Sequence, residues 1–226
     1  VNPELEILWE NPHFIVVNKP AGLLSVPATN SREVSVLKIL SRLYPKKRHI
    51  PVHRIDRDTS GVLLVARDPD AHRAANRWFE KHHVKKEYLA MAGGRPRLPA
   101  FRVNKPIEGK PALSQIQVIE RFGNEPNSAF LSRVRIATGR RHQIRIHLES
   151  EGFPILGDTK YGGLRKFAGI DFTRFALHAE RLTLPDDSDE FGVGKKEREF
   201  IAPMPPDFSE WVAWLRGLGD HPEIGT

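Results

Sequence analysis

The stretch His53-Arg54-Ile55-Asp56-Arg57-Asp58-Thr59-Ser60-Gly61-Val62-Leu63-Leu64-Val65-Ala66 changes character halfway along. Up to Ser60 it is polar apart from Ile55 and cannot be regular core. From Gly61 it is continuously apolar, the pattern of a short strand buried in a sheet. A polar loop is thus mounted directly on a rigid support, the kind of place where catalytic groups are held. Within the loop, Asp56 has Arg54 and Arg57 close by, and a neighbouring cation keeps a carboxylate ionised. An ionised, partly desolvated Asp can act as nucleophile or general base. Taken alone, Asp56 and Thr59 serve equally well as ties within the loop.

Reading outward, Leu5, Ile7 and Trp9 alternate, which predicts a strand over 4–9. Phe14 to Val17 is a short buried strand ending in the turn Asn18-Lys19-Pro20-Ala21-Gly22. Ser31 caps a predicted helix to Leu43, followed by the basic link Lys46-Lys47-Arg48-His49. Asp68-Pro69 starts a helix to about His83, with Ala71, Ala74, Ala75, Trp78 and Phe79 at helical period. Glu87 to Ala92 returns to strand, and Arg95–Pro99 reads as a surface loop. Ser114–Arg121 and Ala129–Ala137 form a predicted strand pair, and Arg141–Ser150 a short helix stopped by Gly152. Phe175 to Leu184 makes a strand or a bent pair, and Phe200–Ala202 a last strand. Asp207 caps a final helix with Phe208, Trp211, Val212 and Leu215 as its buried stripe. Most strands follow one another without an intervening helix. That order predicts the α+β class, a mixed and mostly antiparallel sheet with peripheral helices.

The composition excludes several chemistries. With 226 residues the chain can bury a proper core, and the reading is a single domain over 1–226. It contains no Cys, which removes disulfides, thiol nucleophiles and Cys-based zinc sites. No apolar run approaches a membrane span, and Val1-Asn2-Pro3-Glu4 does not begin like a signal peptide, so a cytoplasmic protein with no membrane partner is expected. The net charge of +7 favours a polyanionic partner. That charge is concentrated: between Leu131 and Ser150 stand Arg133, Arg135, Arg140, Arg141 and Arg145 against the single acid Glu149. An acidic patch, Asp186-Asp187-Ser188-Asp189-Glu190, lies far away in sequence.

Three further segments carry chemistry. In Thr138-Gly139-Arg140-Arg141-His142-Gln143-Ile144-Arg145 a strand ends where a helix begins, and free helix amides beside arginines suit phosphate. Arg141 and Arg145 are expected on one helical face, while His142 and Gln143 can hydrogen-bond a base or ribose. In Lys85-Lys86-Glu87-Tyr88, Tyr88 is a sheet aromatic or a platform for a base. Gly157-Asp158-Thr159-Lys160-Tyr161-Gly162 and Leu177-His178-Ala179 are weak signals on their own. His142 and His147 fall on different helix faces, so no metal site is expected.

In this order the segments resemble the RluA-type pseudouridine synthases. Asn18–Gly22 is similar to that family's N-terminal turn and His53–Gly61 to its signature. Lys86-Glu87-Tyr88 is similar to its Lys-x-Tyr element, and Thr138–Arg145 to its Arg-rich element. Pro154-Ile155-Leu156-Gly157-Asp158 and Leu177-His178-Ala179 follow at suitable distances. The resemblance spans about residues 5 to 215. It implies a curved mixed sheet with a central catalytic cleft and no cofactor. It also implies Asp56 as catalytic carboxylate, Tyr88 packing on the target base, Arg145 pairing with Asp56, and Arg54 displacing the target uridine. His53, Arg57, Thr59, Arg140, Arg141, His142 and Gln143 complete the expected substrate-binding set. Two positions depart from the pattern: Arg67 stands where relatives often carry Lys, and Arg141 where Thr is common. The chain starts at the catalytic domain, so no separate N-terminal RNA-binding domain is expected.

The implied activity is isomerisation of uridine to pseudouridine in ribosomal or transfer RNA by a monomer. Two other readings stay open. One is a catalytically silent RNA-binding or ribosome assembly factor; the presence of Asp56, Tyr88 and Arg145 argues against it. The other is a nuclease using His53 or His142 with Lys160, which nothing in the spacing favours.

Overall fold

Gly61, where the polar loop meets the apolar run, has φ +114°, and a Cβ there would overlap the Ala179 backbone carbonyl. Only a residue without a side chain satisfies both constraints, so the chain enters its buried strand at this point. The computed structural model describes residues 5–28, 33–124, 126–194 and 197–217.

In chain order the elements are β1 (Glu6–Glu10), β2 (Phe14–Lys19), α1 (Val36–Leu43), β3 (Ile50–Pro51), β4 (Ser60–Ala66), α2 (Pro69–Glu80), β5 (Lys85–Gly93), β6 (Ala100–Val103), β7 (Ser114–Phe122), β8 (Ala129–Ile136), α3 (Gln143–Ser150), β9 (Lys166–Phe167), β10 (Ile170–Asp171), β11 (Leu177–Leu184), β12 (Arg198–Ile201) and α4 (Pro206–Gly217). The pairs β1–β2, β2–β4, β3–β4, β5–β8, β7–β8, β6–β7, β9–β10 and β11–β12 are all antiparallel. The expected α+β class with a mostly antiparallel sheet is what the chain adopts. Its residues form two compact units. One holds the described residues up to Lys86 together with Ala179–Pro203; the other holds Glu87–His178 and the described residues from Met204.

In the first unit the strand order is β1-β2-β4-β11, with β12 paired to β11. Every residue of β4 is buried, which explains its unbroken apolar sequence. Val62, Leu64 and Ala66, with Phe14 and Val16 of β2, pack against Ala71, Ala74, Ala75 and Trp78 of α2. The alternate residues Ile15, Val17, Leu63 and Val65 are equally buried on the other side. Each such aliphatic side chain contributes about 1.5–3 kcal/mol by leaving water. Helix α2 starts as predicted: the Asp68 carboxylate accepts the Asp70 and Ala71 amides at 2.9 and 2.8 Å, with Pro69 at the first position. Arg67 donates to the Asn11 carbonyl at 2.7 Å, pairs with Glu10 and lies over the Tyr44 ring.

In the second unit the order is β5-β8-β7-β6. Tyr88 and Ala90 of β5 stand opposite Val134 and Ser132 of β8. Arg174 anchors α4 through a two-pronged pair with Asp207, Nε–Oδ2 2.7 Å and Nη2–Oδ1 3.0 Å, and its guanidinium lies over Trp211.

Three local expectations change, and one strand is added. The first helix starts at Val36 with Ser35 as N-cap, its hydroxyl accepting the Lys38 amide; Ser31 lies outside the described residues. The segment after Pro99 is a strand, β6, whose four residues are too short a run to show a period. Helix α3 begins at Gln143, so Arg141 precedes it and does not share a helical face with Arg145. Asp207 sits inside the first turn of α4, where its carboxylate both pairs with Arg174 and accepts the Phe208 amide at 2.8 Å. The buried stripe of α4, Phe208, Trp211, Val212 and Leu215, is as predicted.

Replacing Gly61 by Ala is expected to lower stability by at least about 2 kcal/mol, since backbone strain and overlap add. Urea unfolding checks this; an unchanged midpoint would contradict the close approach to Ala179.

Candidate active site

The signature loop of the first unit is fixed from several sides. The Lys19 ammonium, with no exposed surface, donates to the carbonyls of Pro20, Leu23 and Arg57 at 2.9, 2.7 and 2.8 Å. The Ser25 hydroxyl donates to the Ile55 carbonyl at 2.8 Å and accepts the Ile55 amide at 3.2 Å. Arg57 donates from Nε to the Gly22 carbonyl at 3.1 Å and pairs with Glu33 at 3.0 Å. The Thr59 amide donates to the Asp56 carbonyl at 3.1 Å, and Thr59 itself is buried. Asp56 is half-buried in the middle of these ties, and Arg54 is exposed beside it. Residues immediately before and after the carboxylate are therefore anchored, and the carboxylate inherits a defined position.

His53 does structural work in this unit. Its Nε2 accepts the Leu64 amide at 3.0 Å, and its ring stacks on Phe79 at 5.0 Å between centroids. Burial, with the Lys86 charge adding, pushes the imidazole down to about 3, so it is neutral at pH 7. Lys86 is itself buried, which pulls its ammonium down to about 8, and it lies 5.5 Å from the centre of the Phe79 ring.

In the second unit the Arg-rich element is a tight turn into α3. His142 adopts the left-handed conformation, φ 56°, and its Nδ1 is 2.9 Å from the Tyr161 hydroxyl. The buried Gln143 amide is fully used: its oxygen accepts from the Thr138 hydroxyl and the Arg140 amide at 2.7 and 3.1 Å. Its nitrogen donates to the Leu113 carbonyl and Ser114 hydroxyl at 2.9 and 3.2 Å. His147, without exposed surface, continues this network to Ser114 and the Lys105 carbonyl, both at 2.9 Å, and burial lowers its pKa. Arg140 donates to the Pro111 carbonyl at 3.1 Å, and Arg141 is exposed.

Arg145 is the most constrained residue of the element. It is buried, and its fork meets Asp158 from two nitrogens, Nε–Oδ2 2.6 Å and Nη2–Oδ1 2.8 Å. The Phe175 and Tyr161 rings flank the guanidinium at 4.2 and 4.9 Å. Such a bidentate, ring-flanked site suits arginine alone among cations. Tyr88 is buried on β5.

The expected site residues therefore divide by what they touch. Asp56 and Arg54 stand in a loop held by His53, Arg57 and Thr59, which the sequence placed among substrate contacts. Gln143 likewise shapes its turn from inside, because its amide has no capacity left. Arg141 faces solvent. Sequence reasoning missed Lys19 and Ser25 as supports of the loop, and Asp158, Tyr161 and Phe175 as the setting of Arg145. Glycines marked the last group: a Cβ on Gly157 would overlap the Arg174 carbonyl, and one on Gly163 the Ile155 carbonyl.

Residues 13–150, which contain both elements, match the RNA pseudouridylate synthase family. The chain belongs to that family. It is 33% identical, over 94% of its length and 72% of the relative's, to ribosomal large subunit pseudouridine synthase D of Pseudomonas aeruginosa. It is 36% identical, over 80% of its length and 87% of the relative's, to the dual-specificity RNA pseudouridine synthase RluA of Escherichia coli. Human RNA pseudouridylate synthase domain containing 1 superposes with a TM-score of 0.70 at 26% identity over 94% of this chain and 95% of that one. Human RNA pseudouridylate synthase domain containing 4, at 24% identity, shares the fold with a TM-score of 0.76 over 93% of both chains. This pseudouridine synthase is thus an isomerase acting on RNA.

The low pKa of His53 makes a stability prediction. Above about 6.5 the imidazole is neutral in both folded and unfolded chains. As pH falls below that value the unfolded chain takes up a proton that the folded one refuses until about 3. Stability should fall over this window, and His53→Gln, which keeps an acceptor for the Leu64 amide, should flatten the fall. Urea midpoints from pH 7 to 4 test this; identical slopes for both proteins would refute it.

Proposed function

We propose that Asp56 is the catalytic carboxylate of this pseudouridine synthase, that Tyr88 receives the target base, and that Arg145 is the partner of Asp56. The observation that carries the proposal is the anchoring of the signature loop by Lys19, Ser25 and Gly61, which gives one half-buried carboxylate a rigid mount. Asp158 holds the Arg145 fork in one orientation, which supports a directed electrostatic role for it. Arg54, exposed beside the carboxylate, takes the part of displacing the uridine from the RNA stack.

The reaction breaks the bond from C1′ to N1 of uracil, turns the base and joins C1′ to C5. The C5 proton is lost and N1 gains one, so composition is conserved and the chemistry needs no oxidant or reductant. Asp56 either attacks a carbon of the nucleotide or stabilises positive charge at C1′ while the base departs, as carboxylates do beside oxocarbenium-like centres. The arginines hold the phosphate backbone electrostatically. A monomer working in the cytoplasm, on one domain's residues, is the simplest form consistent with this chemistry.

For substrate, the name of the Pseudomonas aeruginosa relative favours large-subunit ribosomal RNA, and transfer RNA is the second target class that the motif resemblance implies. Asp56→Asn should reduce pseudouridine formation by at least about a hundredfold while RNA affinity stays within a few fold. Pseudouridine mapping of total RNA with wild-type or variant protein measures both the loss and the site. Full turnover by the variant would end the assignment of Asp56, and loss of a transfer RNA site alone would redirect the substrate.

A further inference from the structure

On the second unit's sheet, one face is left uncovered at the end where β6, β7, β8 and β5 lie side by side. The registers align residues across it: Arg102 opposite Gln115, Gln115 opposite Arg135, and Arg135 opposite Glu87. The next exposed rung places Gln117 opposite Arg133. Strand alternation puts this set on the side away from Tyr88 and Val134. Of these, Arg102, Gln115, Gln117, Arg133 and Arg135 line a shallow groove of about 390 Å³, with Phe101 in its wall.

Three arginines face one carboxylate here, so the groove is positive. Glu87, whose side chain is only 12% exposed, sits under two of them and receives Arg135 Nε at 2.7 Å and Arg133 Nε at 3.4 Å. It orients the guanidinium groups at little cost in charge, and groups already ordered lose less entropy on binding. Arg102 is exposed and has no carboxylate partner among the described residues. Neighbouring strands are about 4.8 Å apart and alternate residues along a strand about 6.8 Å apart, so the donors form a grid. A grid of guanidinium forks and glutamine amides suits phosphate and ribose oxygens.

We infer that this sheet face binds the phosphodiester backbone of a single RNA strand outside the target nucleotide. The inference rests on RNA being what the enzyme acts on. It assigns to Arg102, Arg133 and Arg135 an affinity role that is independent of the chemistry at Asp56. Backbone contacts of this kind set affinity and register and carry no base information.

The test uses Arg102→Gln/Arg135→Gln, which removes two charges at exposed positions and keeps polar side chains. A charge-matched control, Arg73→Ala/Lys81→Ala, removes two exposed charges from the first unit. Binding of a fluorescein-labelled oligouridylate is followed against salt concentration, and pseudouridine formation is measured on total ribosomal RNA. The groove variant should bind the oligouridylate about tenfold or more weakly at low salt. Its plot of log affinity against log salt should flatten by about 1.4, because about 0.7 is lost per phosphate contact on a single strand. KM should rise with kcat unchanged. Equal affinity for wild type and groove variant, or an equal loss in the control, overturns the inference. Absence of pseudouridine formation by the wild type would instead strike the activity reading, since the oligouridylate measurement does not depend on turnover.

Discussion

A lysine ammonium with no exposed surface is tolerable only where its protons are met, and Lys19 meets the carbonyls of Pro20, Leu23 and Arg57. Burying an unpaired charge is among the most expensive things a protein can do, so this cluster fixes the chain wherever the carbonyls come from. Two of them belong to the turn after β2, and the third to the loop that presents Asp56. A local feature of the first strands is thereby tied to the loop of Asp56 far along in sequence. Ser25 repeats the arrangement on Ile55, and Gly61 allows the next strand to lie against Ala179.

The second unit solves a comparable problem by a different route. Its cation, Arg145, is matched by one carboxylate with two well-aligned bonds and by two aromatic rings. Asp158 reaches it from a loop whose glycines permit backbone approaches that no side chain would survive. Thr138, Gln143, Ser114 and His147 then tie the start of α3 to β7, so the helix cannot rotate and carry Arg145 away. In both units a buried charged group is held in one position by partners from distant parts of the chain.

Much of this was legible in order of signal strength. The Asp68-Pro69 start of α2, the buried run of β4 and the stripe of α4 declare themselves because capping and periodicity are local. β6 did not, because four residues at a sheet edge show no period. The start of α3 is two residues later than the sequence suggests because its N-cap is the left-handed His142, a conformation that glycine usually advertises and histidine does not. Among site residues, Asp56, Tyr88 and Arg145 were named through motif resemblance, yet their supports were not. Ser25, Asp158 and Phe175 are ordinary residues whose importance lies in what they touch.

By itself, then, the amino-acid sequence determined the family, the class of fold and the identity of the charged groups, because motif order, hydrophobic period and residue type are properties of the chain. Only the tertiary structure decided which polar residues face inward. His53 and Gln143 look like substrate contacts in a motif, and both spend side-chain hydrogen-bonding capacity on the protein's own backbone and side chains. Nothing in a linear pattern tells a donor reserved for a ligand from a donor used to hold a loop. The distinction depends on which distant atoms the folded chain brings within about 3 Å of it, the reach of a hydrogen bond.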